Sequence, residues 1–366
     1  MKKTINRNNL LEITEKMVKH VSAKPIVPIL SCFKISNNEI TVDNQEVRVT
    51  AQIPKEGDIN PLSEVDVCIP ARQFVTVLQN MDSDDISLKF DNGKVTVSDK
   101  ASKKGIVINT FNAGEFWQPQ KTDAKTSTYL PISGAHFLPA LKKAASFVDG
   151  NSASSFDYIG LTVYDEVLHI NGGTRPNMYD MRIDIPGIKD FRAMITQKGA
   201  SALCDIEDTE EVTIERRGSF IFCSNSSISI QARCMEGVYP DIRPFISTID
   251  GKWTTINRKA VIGASNLCAT IASETPLILL EKEEGGIMFA AFNESDEVAK
   301  QLLECDTEGI CTEEGKWYNN SNFKRSLNAI ESDMVRMDNK TGVLFLSPDV
   351  EPLGVKETVI LARVGK

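Results

Sequence analysis

The sequence is poor in the residues that carry chemistry. It has three histidines, His20, His136 and His169, in 366 residues, and no spacing among them gathers ligands around a metal. No Gly-x-x-x-x-Gly-Lys-Ser/Thr, Gly-x-Ser-x-Gly or His-Glu-x-x-His run occurs, so phosphate-loop, nucleophile-elbow and zincin chemistry have no starting point. The acidic pairs Asp84-Asp85, Glu210-Glu211 and Glu283-Glu284 flank apolar runs and read as solvated strand ends rather than a catalytic dyad. No apolar run approaches the roughly 18 residues of a membrane span. The opening MKKTINRNNLLEITEK lacks the apolar stretch of a secretory leader. None of the eight cysteines forms a Cys-x-x-Cys pair, which predicts free thiols in a reducing compartment, the cytoplasm. These absences predict a non-catalytic chain without cofactor or metal.

What the sequence does have is repetition. Three landmarks recur about 125 residues apart. The first is a strand running into a capped helix. Thr-Ile-Asn-Arg stands at 4–7 and again at 255–258, with Pro131-Ile132-Ser133 between them. Ile5, Ile132 and Ile256 align in this reading, and Asn6, Ser133 and Asn257 are N-cap types. The second landmark is another helix, with Leu78, Leu203 and Leu327 in register. The third is a hairpin turning at Gly93, Gly218 and Gly342, each flanked by the alternation of a half-buried strand pair. Three landmarks in one register predict three homologous α+β domains, at 1–123, 124–249 and 250–366. Each has two helices and two runs of antiparallel strand. Pro139 sits inside the helix expected in the second domain. It predicts a later helix start there, near His136, so that the proline falls in the first turn.

Charge is segregated along the same lines. Net charge is −9, which by itself argues against a simple nucleic-acid binder. Yet the six helix windows hold ten basic residues (Lys16, Lys19, Arg72, Lys142, Lys143, Lys198, Arg258, Lys259, Lys324 and Arg325) and two acidic ones (Glu12 and Glu15). They carry +8, and the rest of the chain −17. Helices sharing one face would present a cationic surface on an acidic body. Duplex DNA carries one phosphate charge per roughly 1.7 Å and would be drawn to that face and repelled elsewhere. Contacts to phosphate position a protein without reading sequence.

Four runs carry a family resemblance. Lys24-Pro25-Ile26-Val27-Pro28-Ile29-Leu30, Ile69-Pro70-Ala71-Arg72-Gln73-Phe74, Phe111-Asn112-Ala113-Gly114-Glu115-Phe116 and Gly237-Val238-Tyr239-Pro240-Asp241-Ile242 are similar, in order and spacing, to runs of bacterial DNA polymerase III beta subunits, the sliding clamps. The resemblance covers essentially the whole chain. It implies three tandem clamp domains forming half of a closed ring. A head-to-tail homodimer would encircle double-stranded DNA and tether a replicative polymerase as its processivity factor.

It also implies sites. Lys24, Arg72 and Lys198 match basic positions of the family. The charge argument adds Lys142, Lys143, Arg258, Lys259, Lys324 and Arg325 as DNA contacts. A cleft between domains 2 and 3, where a short apolar peptide of the polymerase or clamp loader docks, maps to Tyr158, Gly173, Thr174, Arg175, Tyr239, Pro240, Phe245, Leu361 and Ala362. Ile106, Ile108 and Ile271 map to the dimer contact. Two runs depart from the pattern, both at the cleft. Thr-Asp-Gly-His-Arg-Leu is replaced by residues 172–179, and the final Met-Pro-Met-Arg or Leu-Pro-Val-Arg type becomes Leu361-Ala362-Arg363-Val364.

Overall fold

A computed structural model describes residues 1–99, 104–117, 127–149, 154–207, 211–249, 251–271, 276–295, 297–310, 314–339 and 341–365. Their order is one motif, strand–helix–three strands, written six times. The first two copies are β1 (Lys2–Asn6), α1 (Arg7–Val18), β2 (Cys32–Ser36), β3 (Glu39–Asp43) and β4 (Val47–Gln52), then β5 (Asp66–Pro70), α2 (Ala71–Gln79), β6 (Asp85–Asp91), β7 (Lys94–Asp99) and β8 (Gly105–Asn109). The next two are β9 (Ser127–Leu130), α3 (Gly134–Phe147), β10 (Tyr158–Tyr164), β11 (Val167–Thr174) and β12 (Asn177–Asp184), then β13 (Phe191–Thr196), α4 (Gln197–Leu203), β14 (Thr213–Arg217), β15 (Phe220–Ser224) and β16 (Ile228–Arg233). A single helical turn, α5 (Arg243–Ile246), precedes the last two. These are β17 (Thr254–Asn257), α6 (Arg258–Ala269), β18 (Leu277–Glu283), β19 (Gly286–Phe292) and β20 (Val298–Glu304), then β21 (Lys316–Asn319), α7 (Asn320–Ala329), β22 (Met334–Asp338), β23 (Leu344–Pro348) and β24 (Val355–Leu361).

The residues form two compact units, 1–135 with 202–234, and 136–201 with 235–366. Each holds one four-stranded and one eight-stranded sheet. In the first unit these are β1-β6-β7-β8 and β5-β2-β3-β4-β16-β15-β14-β9. In the second they are β13-β10-β11-β12-β24-β23-β22-β17 and β20-β19-β18-β21. All pairs are antiparallel, so each eight-stranded sheet is two four-stranded ones joined through the last strands of two motifs.

Local chemistry accounts for the elements. Asn6, Asn257 and Asn319 accept hydrogen bonds from the backbone N–H of Asn9, Ala260 and Asn322, satisfying donors that a helix start leaves unpaired. Ser133 accepts one from Ala135 N–H at 3.1 Å. On α1 the buried residues are Leu10, Thr14 and Met17, a stripe at helical spacing. Gly93, Gly218 and Gly342 take φ of +71°, +56° and +83° in the three repeated hairpins, a region L side chains rarely enter.

Two expectations need correction. The strand ladders pair Ile5 with Ile86, Leu130 with Ile214, and Ile256 with Val335. Leu130, not Ile132, is therefore the counterpart of Ile5 and Ile256. Pro131 has no N–H to give the ladder, so β9 stops before it and Pro131-Ile132 become connection. Against that frame α3 does start late, but at Gly134 rather than His136, and Pro139 is its sixth residue, inside the helix. The bond it forgoes would end on the carbonyl of Ala135, an exposed residue that water can serve.

Candidate functional site

The second unit carries an apolar cluster where the peptide cleft was expected. Met178 pairs with Ile360, and Ile360 with Phe345, giving one rung of side chains across β12, β24 and β23. Met194, Tyr239 and Ile242 complete the buried set, and Phe156, Tyr158, Trp253 and Val343 pack half-buried against it. Tyr239 reaches this cluster because β10 yields space. A Cβ on Gly160 would stand 2.3 Å from Tyr239 Cγ, so only glycine admits the ring. Phe156 meets that ring edge-on, centroids 6.0 Å apart. Phe245 and Val238 remain 51% and 59% exposed beside these buried neighbours, leaving apolar surface open to solvent.

The residues expected in the cleft divide by burial. Tyr239 is buried, Tyr158, Thr174, Pro240 and Ala362 are half-buried, and Arg175 is exposed. Leu361 is fully buried, paired on both sides with Asn177 and Leu344, and is sheet interior. Gly173 is also buried: its φ is +153° and a Cβ would lie 2.4 Å from the Asn177 carbonyl oxygen. Residues 172–179, one of the two runs that depart from the family pattern, form a tight hairpin. Its strands run to Thr174 and from Asn177, and only Arg175 and Pro176 turn.

A polar network lies beneath. His169 Nδ1 is 3.0 Å from Asp180 Oδ1, which also accepts from Asn171 Nδ2 at 2.6 Å. Arg182 Nε faces Asp180 Oδ2 at 3.1 Å and its Nη2 donates to Thr358 Oγ1 at 2.7 Å. The buried Asp180 is thus held from both sides, as an interior carboxylate must be. The Tyr239 hydroxyl is buried without a hydrogen-bond partner among the described residues. Burial first, and Asp180 second, push it far above the usual phenol range. Arg243 chelates Asp241 (Nη2 to Oδ2 2.8 Å), whose carboxyl is held below its usual range by that contact, and lies 3.6 Å over the Tyr164 ring.

The basic helix residues fall into two groups. Arg258 is half-buried, and its guanidinium donates to the carbonyls of Leu327 (3.3 Å), in the last turn of α7, and Ser332 (2.8 Å), just beyond it. Arg7 repeats this at α2, with Ser83 O at 3.1 Å and Leu78 O at 3.4 Å. Lys143 is drawn in to Glu357 at 2.9 Å, with Glu331 at 3.7 Å. Arg258 and Lys143 therefore have internal work, and charge counting along the sequence could not see it. Arg325 pairs loosely with Asp149 at 3.3 Å. Lys24, Arg72, Lys142, Lys198 and Lys259 are exposed, and Lys324 is half-buried.

Lys16 spans Glu12 and Glu207, and Asp205 takes Lys19 at 2.9 Å and His20 at 3.0 Å; Glu12, Lys16, Asp205 and Glu207 line a cavity of about 710 Å³ in the first unit. Its acidic groups are thus already matched.

Of the six strands that end a motif, two keep a free edge among the described residues. β8 pairs only with β7, and β20 only with β19. Ile106 and Val107 on β8 are 38% and 55% exposed, and Val298 and Leu302 on β20 are 48% and 42% exposed. Ile108 is fully buried in its own core, and Ile271 lies half-buried just past α6.

Among the described residues no group of three His, Cys, Asp or Glu could hold a metal, and no helix is long and apolar enough to cross a membrane. The described cysteines are free thiols, and burial pushes Cys32 up to about 11 and Cys68 to about 12. Cys311 lies outside the described residues.

Six strand–helix–three-strand motifs, four of them joined in pairs by their last strands, are the DNA-clamp fold. Among solved structures the chain is similar to the DNA polymerase III beta subunit of Pseudomonas aeruginosa, with TM-score 0.87, 16% identity and all of both chains covered. It is equally similar to the sliding clamp of Bacillus subtilis, with TM-score 0.87, 17% identity, and 100% and 99% of the chains covered. The family model for the DNA polymerase III beta subunit, N-terminal domain, matches residues 1–119. Relatives include the beta sliding clamps of Bacillus subtilis, 20% identical over 75% of each chain, and Streptococcus pneumoniae, 23% identical over 91% of this chain and 90% of that one. The chain therefore shares the fold of these sliding clamps, and its first 119 residues match the N-terminal domain of the DNA polymerase III beta subunit.

Proposed function

We propose that two copies of this chain close head-to-tail into a ring of six clamp domains around duplex DNA. The domains are 1–123, 124–249 and 250–366; the boundary at 123/124 lies outside the described residues. The observation that carries the reading is strand bookkeeping. Of the six last strands, β4 pairs with β16 and β12 with β24, while β8 and β20 are left with bare edges and exposed Ile106, Val107, Val298 and Leu302. An open apolar edge invites pairing, and joining β8 of one copy to β20 of another repeats the joint made twice within the chain. That contact is heterologous, and two of them close a ring. Ile106 belongs to it, and Ile108 and Ile271 support the two edges from behind.

DNA threads the ring against Lys24, Arg72, Lys142, Lys198, Lys259 and Lys324, with Arg325 beside them, through salt-sensitive phosphate contacts that permit sliding. The replicative polymerase and a clamp loader dock through short apolar segments on the Tyr239 cluster, with Phe245 and Tyr158 at its open side. Sedimentation equilibrium tests the assembly. A mass twice the 40.4 kDa chain is expected, falling to one chain when Val107→Pro removes an edge donor from β8. A chain that stays single at all concentrations contradicts it.

A further inference from the structure

The apolar cluster has a charged rim that its own side chains leave unmatched. Arg175 is exposed at the tip of the β11–β12 hairpin, and Arg363 is exposed two residues past β24. One backbone hydrogen bond, Ala362 N–H to Pro176 O at 2.9 Å, joins the residues next to the two arginines in sequence. The Arg363 stem lies over Gly342: a Cβ there would be 3.3 Å from Arg363 Cδ and 3.5 Å from Nη1. Gly342 adjoins Val343, which packs on the cluster, and Arg175 lies three residues from Met178, which is in it. Among the described residues neither guanidinium has a carboxylate partner, whereas nearby Arg243, Arg182 and Arg336 each do. In the family-like C-terminal run, Arg363 also stands where the pattern carries an apolar residue.

Like charges carried on two joined segments repel, and an anion bound by both relieves that repulsion. A planar guanidinium binds a carboxylate through two parallel N–H donors. We propose that Arg175 and Arg363 form a carboxylate seat at the rim of the Tyr239 cluster, so that this chain selects apolar partner segments carrying an acidic residue. The inference rests on the docking role proposed for that cluster and specifies its partner. A DNA phosphate could meet the same donors, but the seat borders an apolar surface, which favours a peptide.

The test is selection of a displayed random hexapeptide library on the immobilised full chain and on its R175E/R363E variant, with R175Q/R363Q in reserve should charge reversal disturb folding. The unaltered chain is expected to enrich apolar hexapeptides in which Asp and Glu are at least about fivefold more frequent than in those from the variant. Equal acid content from both chains overturns the seat while leaving the cleft standing. Failure of either chain to enrich apolar hexapeptides overturns the cleft and the seat together. Weaker retention of a duplex oligonucleotide by the variant, with acid content unchanged, overturns it in favour of a phosphate contact.

Discussion

Tyr239 and Gly160 fit so closely that the ring occupies the space a side chain on residue 160 would need, 2.3 Å from the nearest ring carbon. This contact seats the connection after β16 on β10 and builds the floor of the apolar cluster. Gly160→Ala is therefore expected to cost about 1–3 kcal/mol, since Tyr239 must leave its place and the cluster must repack. Urea denaturation measures the loss. An unchanged midpoint would mean that the ring has somewhere else to go.

Arg258 separates two roles that look alike in a sequence. Its guanidinium caps the carbonyls of Leu327 and Ser332, so Arg258→Ala is expected to lower stability by about 1–2 kcal/mol. Reversing charge at the exposed Lys24, Arg72 and Lys198 is expected to leave the urea midpoint alone and to reduce processive synthesis at moderate salt. The reverse pattern, with Arg258 silent in stability and the exposed trio silent on DNA, would remove this division.

The ion pairs of Asp205 give a pH dependence of known sign. Burial alone would raise its carboxyl, but hydrogen bonds from His20 and Lys19 outweigh that and hold it low. A depressed carboxylate contributes stability that is full above its unfolded value, near 3.9, and is lost as pH falls through the folded one. Asp205→Asn should therefore differ from the parent at pH 6 and converge with it as pH falls below about 4. A gap that persists unchanged at pH 3 would place the effect elsewhere.

Much of the fold was legible because it is local and repeated. Asn6 and Asn257 cap their helices, and Gly93, Gly218 and Gly342 turn their hairpins, each dictated by a few neighbouring residues. The Ile132 alignment failed because proline chemistry moved the strand end to Leu130, which only the ladder reveals. Of the apolar cluster and its surroundings, Tyr239, Pro240 and Phe245 were singled out in the sequence. The buried walls Met178, Met194, Phe345 and Ile360 were not, since ordinary strand alternation marks them no differently from any core residue. The Lys143 ion pair was not legible because its partner Glu357 lies 214 residues away.

The central claim is topological, so the most direct measurement loads the protein on closed circular DNA, washes with high salt and then linearises the circle. Retention on the circle and release on cutting is the expected result, because a ring holds DNA by enclosure after its phosphate contacts are screened. Release by salt from the intact circle, or retention that survives linearisation, would contradict enclosure.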